Sequence, residues 1–226
     1  MDAMLFCYQN RQYCRNGKSY SAIQLMNHLR EKSLKRKALI LQRRVLNHKS
    51  WMPFTSGALA TCRIVTIKDP DSGCITPLSA NLRLPVGKME VDNTSAGALA
   101  SPVDLDSGRL GIGSCINSYK GRFEFSTHPD THKRFEGELL PYWDQILKCS
   151  IELHASASSP FIGWDITMSE AGCMVMEGSL VWSGGVEAPG TQPLKDTDYP
   201  FLYEEWLRLA KENRRDLPKE KSEFNR

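Results

Sequence analysis

The stretch "FIGWDITMSEAGCMVMEGS", residues 161–179, sets two carboxylates, Asp165 and Glu177, into otherwise apolar sequence. Successive side chains of a strand point to opposite faces. Phe161, Gly163, Asp165 and Thr167 then share one face, and Ile162, Trp164, Ile166 and Met168 fill the other. After the turn "SEAG", Cys173, Val175, Glu177 and Ser179 share a face while Met174 and Met176 point away. A turn centred on Ala171 makes Asp165 and Glu177 near neighbours across a hairpin. Like charges so placed repel unless something offsets them. In an isolated hairpin, the commoner arrangement exposes one acid and pairs the other with Lys or Arg. The alternative is magnesium, which takes carboxylate oxygens, keeps several waters and bridges to phosphates. Ser179 would then supply a hydroxyl ligand or hold one of those waters.

Upstream, "LATCRIVTIKDPDSGCITPLSANLRLP", residues 59–85, reads as a second hairpin around the turn formers "KDPDSG". Thr61, Arg63 and Val65 share one face of its first strand, and Ser79, Asn81 and Arg83 one face of its second. A turn centred near Ser72 sets Arg63 opposite Asn81, with Arg83 on the same side. Two guanidiniums and an amide there offer charge and hydrogen bonds to an anion. A slip of one residue would scatter the group.

Residues 19–36 carry Ile23, Met26, Leu29 and Leu34 at helical spacing. "KALILQ", residues 37–42, suits a short buried strand. "DLDSGRLG" and "NSYKGRFEF" are turns between β-prone segments. Pro141, Trp143, Ile146, Leu147 and Ile151 predict a helix, and "YPFLYEEWLRLAKENRR" predicts a final one before a charged tail. The order predicts an α+β fold, its middle mainly antiparallel. The expected divisions are a helical segment over 1–36, a main domain over 37–200, and a helix with a tail over 201–226.

The chain has 226 residues, 41% hydrophobic and 24% charged, enough to bury a core. No apolar run reaches membrane-spanning length. The first residues lack the pattern of a secretory signal, so a cytoplasmic location is expected. Seven cysteines without a CxxC pair fit a reducing compartment. The net charge of +3 comes with basic runs "REKSLKRK" and "QRR". Without interleaved aromatics these suit a solvated helix face, and no nucleic-acid partner is expected.

Four segments in order, "ALILQRRVLNHKSWMPFTSGALATCRIVT", "LRLPVGKMEVDNTSAGALASPVDLDSGRLG", "HPDTHKRFEGELLPYW" and "FIGWDITMSEAGCMVMEGS", carry a family resemblance. The chain resembles the C-terminal part of the ATP-grasp superfamily, specifically the sugar-transfer-associated ATP-grasp or alpha-L-glutamate ligase-like proteins, over about residues 37–194. The resemblance implies an ATP-grasp-like fold with an ATP and Mg2+ site, and a ligase that activates a small-molecule carboxylate for capture by an amine. It implies that Gln42 lies near the base and that Arg63 faces the transferring phosphate. Asp165 and Glu177 resemble the two magnesium carboxylates, while Asn81, Arg83 and Asn93 are candidates for the cleft.

Two departures stand out. The family commonly has "EGN" where this chain has "EGS", so Ser179 replaces an amide carbonyl with a shorter hydroxyl. The first lobe, which normally holds phosphates with lysines and a glycine-rich loop, is expected to be incomplete here. The chain is therefore expected to be a truncated or degenerate ligase-like protein. The alternative is a noncatalytic binding or assembly protein that keeps the fold and meets a partner, or a second copy, through the incomplete lobe. His128, Asp130 and His154 are read as turn, capping or interface residues, and Cys173 and the methionines as packing.

Overall fold

The computed structural model describes residues 6–36, 39–90, 92, 94, 97–117, 121–180 and 191–216. The chain divides into two compact units, Met1–Leu46 and Asn47–Arg226.

The first unit holds three short antiparallel strands in the order β1 (Cys7–Gln9), β2 (Gln12–Arg15), β3 (Lys18–Tyr20), followed by helix α1 (Ala22–Arg36). Positive φ values at Asn10, Arg11, Asn16 and Gly17 make both connections two-residue turns whose twist suits adjacent strands. Only a helix was expected here, although "RNGK" at residues 15–18 carries the Asn-Gly hairpin signal. The buried residue of α1 is Leu25, whereas Ile23, Met26 and Leu34 are exposed. Residues 39–48 lie outside regular secondary structure, so the strand expected from "KALILQ" does not form over its described residues, 39–42. Ile40 and Leu41 are exposed rather than buried. An apolar run becomes a strand only where a neighbouring ladder receives it, and none among the described residues does.

The second unit is built on a seven-stranded sheet in the order β10-β9-β4-β5-β6-β7-β8, antiparallel at every pairing. Its strands are β4 (Thr61–Lys68), β5 (Ile75–Leu84), β6 (Leu99–Pro102), β7 (Gly113–Asn117), β8 (Gly121–Phe125), β9 (Phe161–Ser169) and β10 (Gly172–Ser179). One face carries Cys62, Ile64, Ala80, Leu82, Ile162, Trp164 and Ile166, which join Trp143 and Ile146 of helix α2 (Trp143–Ala155) in the main core. Helix α3 (Tyr199–Asp216) places Leu202 against Val65, Ile67 and Leu78. The final helix thus belongs to the packing of this unit.

Across the middle of the sheet, the face opposite α2 is polar. It is nonetheless buried: Thr61, Arg63, Ser79, Asn81, Arg83, Asp165 and Thr167 are all shielded from solvent. A layer of buried polar groups is tolerated only where those groups bind one another.

Candidate functional site

Four strands bring the central residues into one transverse row. Glu177 of β10 is the Cα partner of Asp165 in β9, Asp165 of Arg63 in β4, and Arg63 of Asn81 in β5. Arg83 lies one step along, opposite Thr61. The expected pairing of Arg63 with Asn81 is therefore found. It depends on a register shift between Val65 and Thr66, which leaves Leu78 unopposed before Ser79 resumes the ladder against Val65.

A second bulge sets the acids. Near the turn the ladder runs Cys173 to Met168 and Val175 to Ile166, and it shifts so that Glu177 meets Asp165 and Ser179 meets Gly163. Met176 is the extra residue. Simple alternation placed Cys173 and Val175 on the carboxylate face, and the structure corrects this. Both pair with core-facing residues of β9, and Cys173 packs against the main core. Burial, the largest cause, pushes the Cys173 thiol up to about 12, which suits packing rather than nucleophilic chemistry.

Asp165 is 6% exposed and Arg63 is 9% exposed. The Arg63 guanidinium grips the carboxylate with two parallel bonds, Nε to Oδ1 at 2.5 Å and Nη2 to Oδ2 at 2.8 Å. Arg83 Nη1 donates to Oδ2 at 3.2 Å. A fork-to-fork pair of this kind is strong and directional. Both Asp165 oxygens are thus engaged by arginine, while Glu177 across the ladder is exposed. Ser179 is half-buried.

Around this row, Thr191 Oγ1 donates to Asn81 Oδ1 at 2.9 Å. Thr61 Oγ1 donates to Asp92 Oδ2. Burial, the largest cause, pushes the Asp92 carboxyl above its ordinary value, against the pull of Thr61 and Arg83. Asp92 was not singled out from the sequence. Nothing in "VDN" distinguishes an acid folded back onto Thr61 from one in solvent. Asn93, the candidate beside it, lies outside the described residues. Gln42 is exposed and belongs to the first unit.

A cleft of about 770 Å3 adjoins the row, lined among others by Ser79, Pro102, Asp104, Arg109, Thr191 and Gln192. Ser79 Oγ is buried there with no hydrogen-bond partner among the described residues. His128 and His154 have structural roles. His128 is fully buried, its Nε2 donating to the Pro85 carbonyl while Nδ1 accepts the Asp130 and Thr131 amides. His154 Nε2 donates to the Ser159 carbonyl, and Nδ1 accepts from Thr66 Oγ1.

For magnesium, the donor set is one of chemistry and number. Among the described residues, no group of three or more His, Cys, Asp or Glu side chains could hold a metal. Two carboxylates on one face, Asp165 and Glu177, are the complement magnesium uses when phosphates and waters complete its shell. As placed, arginine takes both oxygens of Asp165, and Glu177 is the exposed carboxylate of the two.

A polar, arginine-rich row on one face of an antiparallel sheet, with a helix under the other, matches the α+β class that the resemblance implied. The family model for sugar-transfer associated ATP-grasp matches residues 5–193, and the chain belongs to that family. The match takes in residues 5–36, which precede the segments that carried the resemblance in the sequence. No curated protein matches the chain, and no solved structure does. Family membership associates the chain with ATP binding and, coarsely, with ATP-dependent ligase-like activity. No helix among the described residues is long and apolar enough to cross a membrane.

Proposed function

We propose that the polar row is the phosphate and metal end of a nucleotide site, and that the chain carries out magnesium-dependent, carboxylate–amine ligase-like chemistry. The observation behind this reading is the alignment of Glu177, Asp165, Arg63 and Asn81 in one register across four strands. Cations and carboxylates concentrated on one buried face suit a ligand that is itself a polyanion complexed with a cation.

In this reading Arg63 and Arg83 bind phosphate oxygens and offset charge on the transferring group. Asp165 and Glu177 would hold magnesium, which supplies charge neutralisation on the triphosphate. Ser179, lacking the amide carbonyl of the family pattern, would act through a water. Asn81 orients the row through its bond with Thr191. The neighbouring cleft gives a small-molecule carboxylate or its acceptor a place beside the phosphates.

A second reading has its own observation. Asp165 is committed to two arginines, and a protein that had lost the reaction would keep that pair as structural glue. ATP titrations followed by calorimetry, with and without magnesium, separate the two. Wild type should bind ATP more tightly with magnesium, and the Asp165→Asn/Glu177→Gln variant should lose that dependence. Equal binding under all four conditions would remove the nucleotide assignment and leave the structural reading.

A further inference from the structure

We propose that the cleft lined by Ser79, Asp106 and Gln192 binds a small amino alcohol, its ammonium at the acidic rim and its hydroxyl on Ser79. The inference is read from the groups of the cleft itself and does not depend on the polar row holding a nucleotide.

The volume of about 770 Å3 suits a small molecule. Its wall is a tight turn fixed from behind. Val103 and Leu110 form a β-bridge across it, and Gly108, at a φ of 70°, lies against Trp143, where an added Cβ would sit 2.5 Å from Cγ. Asp104 closes the turn, its Oδ1 accepting from Ser107 N at 2.8 Å and Ser107 Oγ at 2.5 Å. These bonds, the hydroxyl's first, hold the Asp104 carboxyl below its ordinary value, so it is ionised at neutral pH. Asp106 is exposed and receives no hydrogen bond from the described residues. Arg109, the cation of the lining, directs Nη1 to the Gly137 carbonyl at 2.5 Å. Two carboxylates against one guanidinium leave the rim negative. A ligand carboxylate meets like charge there, and a cation meets its opposite.

The hydrogen-bond inventory points the same way. Thr191 gives its proton to Asn81 Oδ1, and Gln192 Nε2 donates to the Asp196 carbonyl at 2.8 Å. Acceptors are what the rim has left to offer, and an ammonium brings three donors to them. Deeper in the cleft, Ser79 is 3% exposed and its Oγ has no partner among the described residues. A buried hydroxyl left unpaired destabilises the fold, and a ligand hydroxyl completes it by donating or accepting. Pro102, Leu110 and Ile112 add apolar surface to the lining, which suits the methylenes joining the two ends.

NMR titrations of the full chain would compare ω-aminopentanol with pentylamine, pentanol and ω-hydroxypentanoate. Wild type should bind aminopentanol about tenfold more tightly than pentanol, the gain of one charge-assisted contact, and hydroxypentanoate should bind weakest. Asp106→Asn should remove that gain and leave pentanol unchanged. Its side chain is exposed, so the fold does not depend on it. Ser79→Ala should bring aminopentanol down to the affinity of pentylamine. It should not lower the thermal midpoint, because the deleted hydroxyl has no bond to lose.

Hydroxypentanoate binding as tightly as aminopentanol would overturn the assignment. So would an unchanged aminopentanol affinity in Asp106→Asn, an unchanged preference over pentylamine in Ser79→Ala, or the absence of shifts at cleft residues with every probe. ATP titrated with magnesium in parallel tests the nucleotide reading apart. Amino alcohol binding without ATP binding removes that reading alone, and ATP binding without amino alcohol binding removes this one alone.

Discussion

Glu177 stands opposite Asp165, rather than opposite Trp164, because Met176 is an extra residue in β10. A bulge inserts one residue against none and resumes the ladder with the faces exchanged. At this point in β10 it takes a residue due to face the core and aims it at the polar row. β10 is at the edge of the sheet, where a bulge disturbs only one ladder.

Deleting Met176 should therefore be tolerated. The shortened strand runs regularly from Val175 to Glu177 and keeps Glu177 opposite Asp165. Magnesium-dependent ATP binding should stay within about twofold of wild type, since the pairing of the site is retained. Deleting Val175 and Met176 together should abolish the dependence, because it slips the strand by one and turns Glu177 towards the core. Calorimetry and thermal melts of the two deletions check this.

Breaking the Arg63–Asp165 pair from one side should be costly. Asp165→Met should lower unfolding stability by about 3–5 kcal/mol, because it removes the carboxylate that two buried arginines share, and Arg63→Met should cost less, because Arg83 still holds Asp165. Arg63→Met/Asp165→Met should lose less than the sum of the two, because both changes remove the same Arg63–Asp165 interaction. Urea denaturation of the four proteins gives the cycle.

Gly178 is needed between Glu177 and Ser179 because the Trp164 ring lies across it. A Cβ at Gly178 would sit 2.8 Å from Trp164 Cζ3. Gly178→Ala should cost about 1–3 kcal/mol through overpacking, read as a lower urea midpoint at unchanged slope. It should also weaken magnesium-dependent ATP binding, since the displaced edge strand carries Glu177.

His154 makes the fold sensitive to acid. Burial, the largest cause, holds its pKa below the ordinary histidine value. The unfolded chain then binds the proton first as pH falls. This contribution to stability is fully present above about pH 6.5 and is lost as pH drops towards the lowered folded value. His154→Gln should be less stable near neutrality, where it loses the Thr66 and Ser159 contacts, yet its stability should fall less between neutral and mildly acidic pH. Denaturant midpoints across that range measure the difference.

Much of the fold was legible from local chemistry. The turn formers "KDPDSG" and "SEAG" and the alternation around them located the β4–β5 and β9–β10 hairpins, and the apolar spacing after Pro141 located α2. The Arg63–Asn81 pairing was reached from a turn centre near Ser72, although the ladder arrives at it only through the shift between Val65 and Thr66. The absence of a strand over residues 39–42, the described part of "KALILQ", shows the limit: an apolar run does not say whether a ladder awaits it. The three strands before α1 were overlooked despite their Asn-Gly turn.

The sequence by itself determined the two hairpins that hold Arg63, Asn81, Asp165 and Glu177, because turn formers and period-two alternation act over a few neighbouring residues. Only the tertiary structure decided how they combine. Arg63 and Asp165 are 102 residues apart in the chain and meet because β9 inserts beside β4. That choice depends on burying the apolar faces of both strands under α2, a collective outcome no local pattern encodes. Tertiary packing likewise folded Asp92 onto Thr61 and placed Thr191 at Asn81. It left Glu177 exposed while Arg63 and Arg83 hold Asp165, because a buried charge takes the nearest opposite charge available to it.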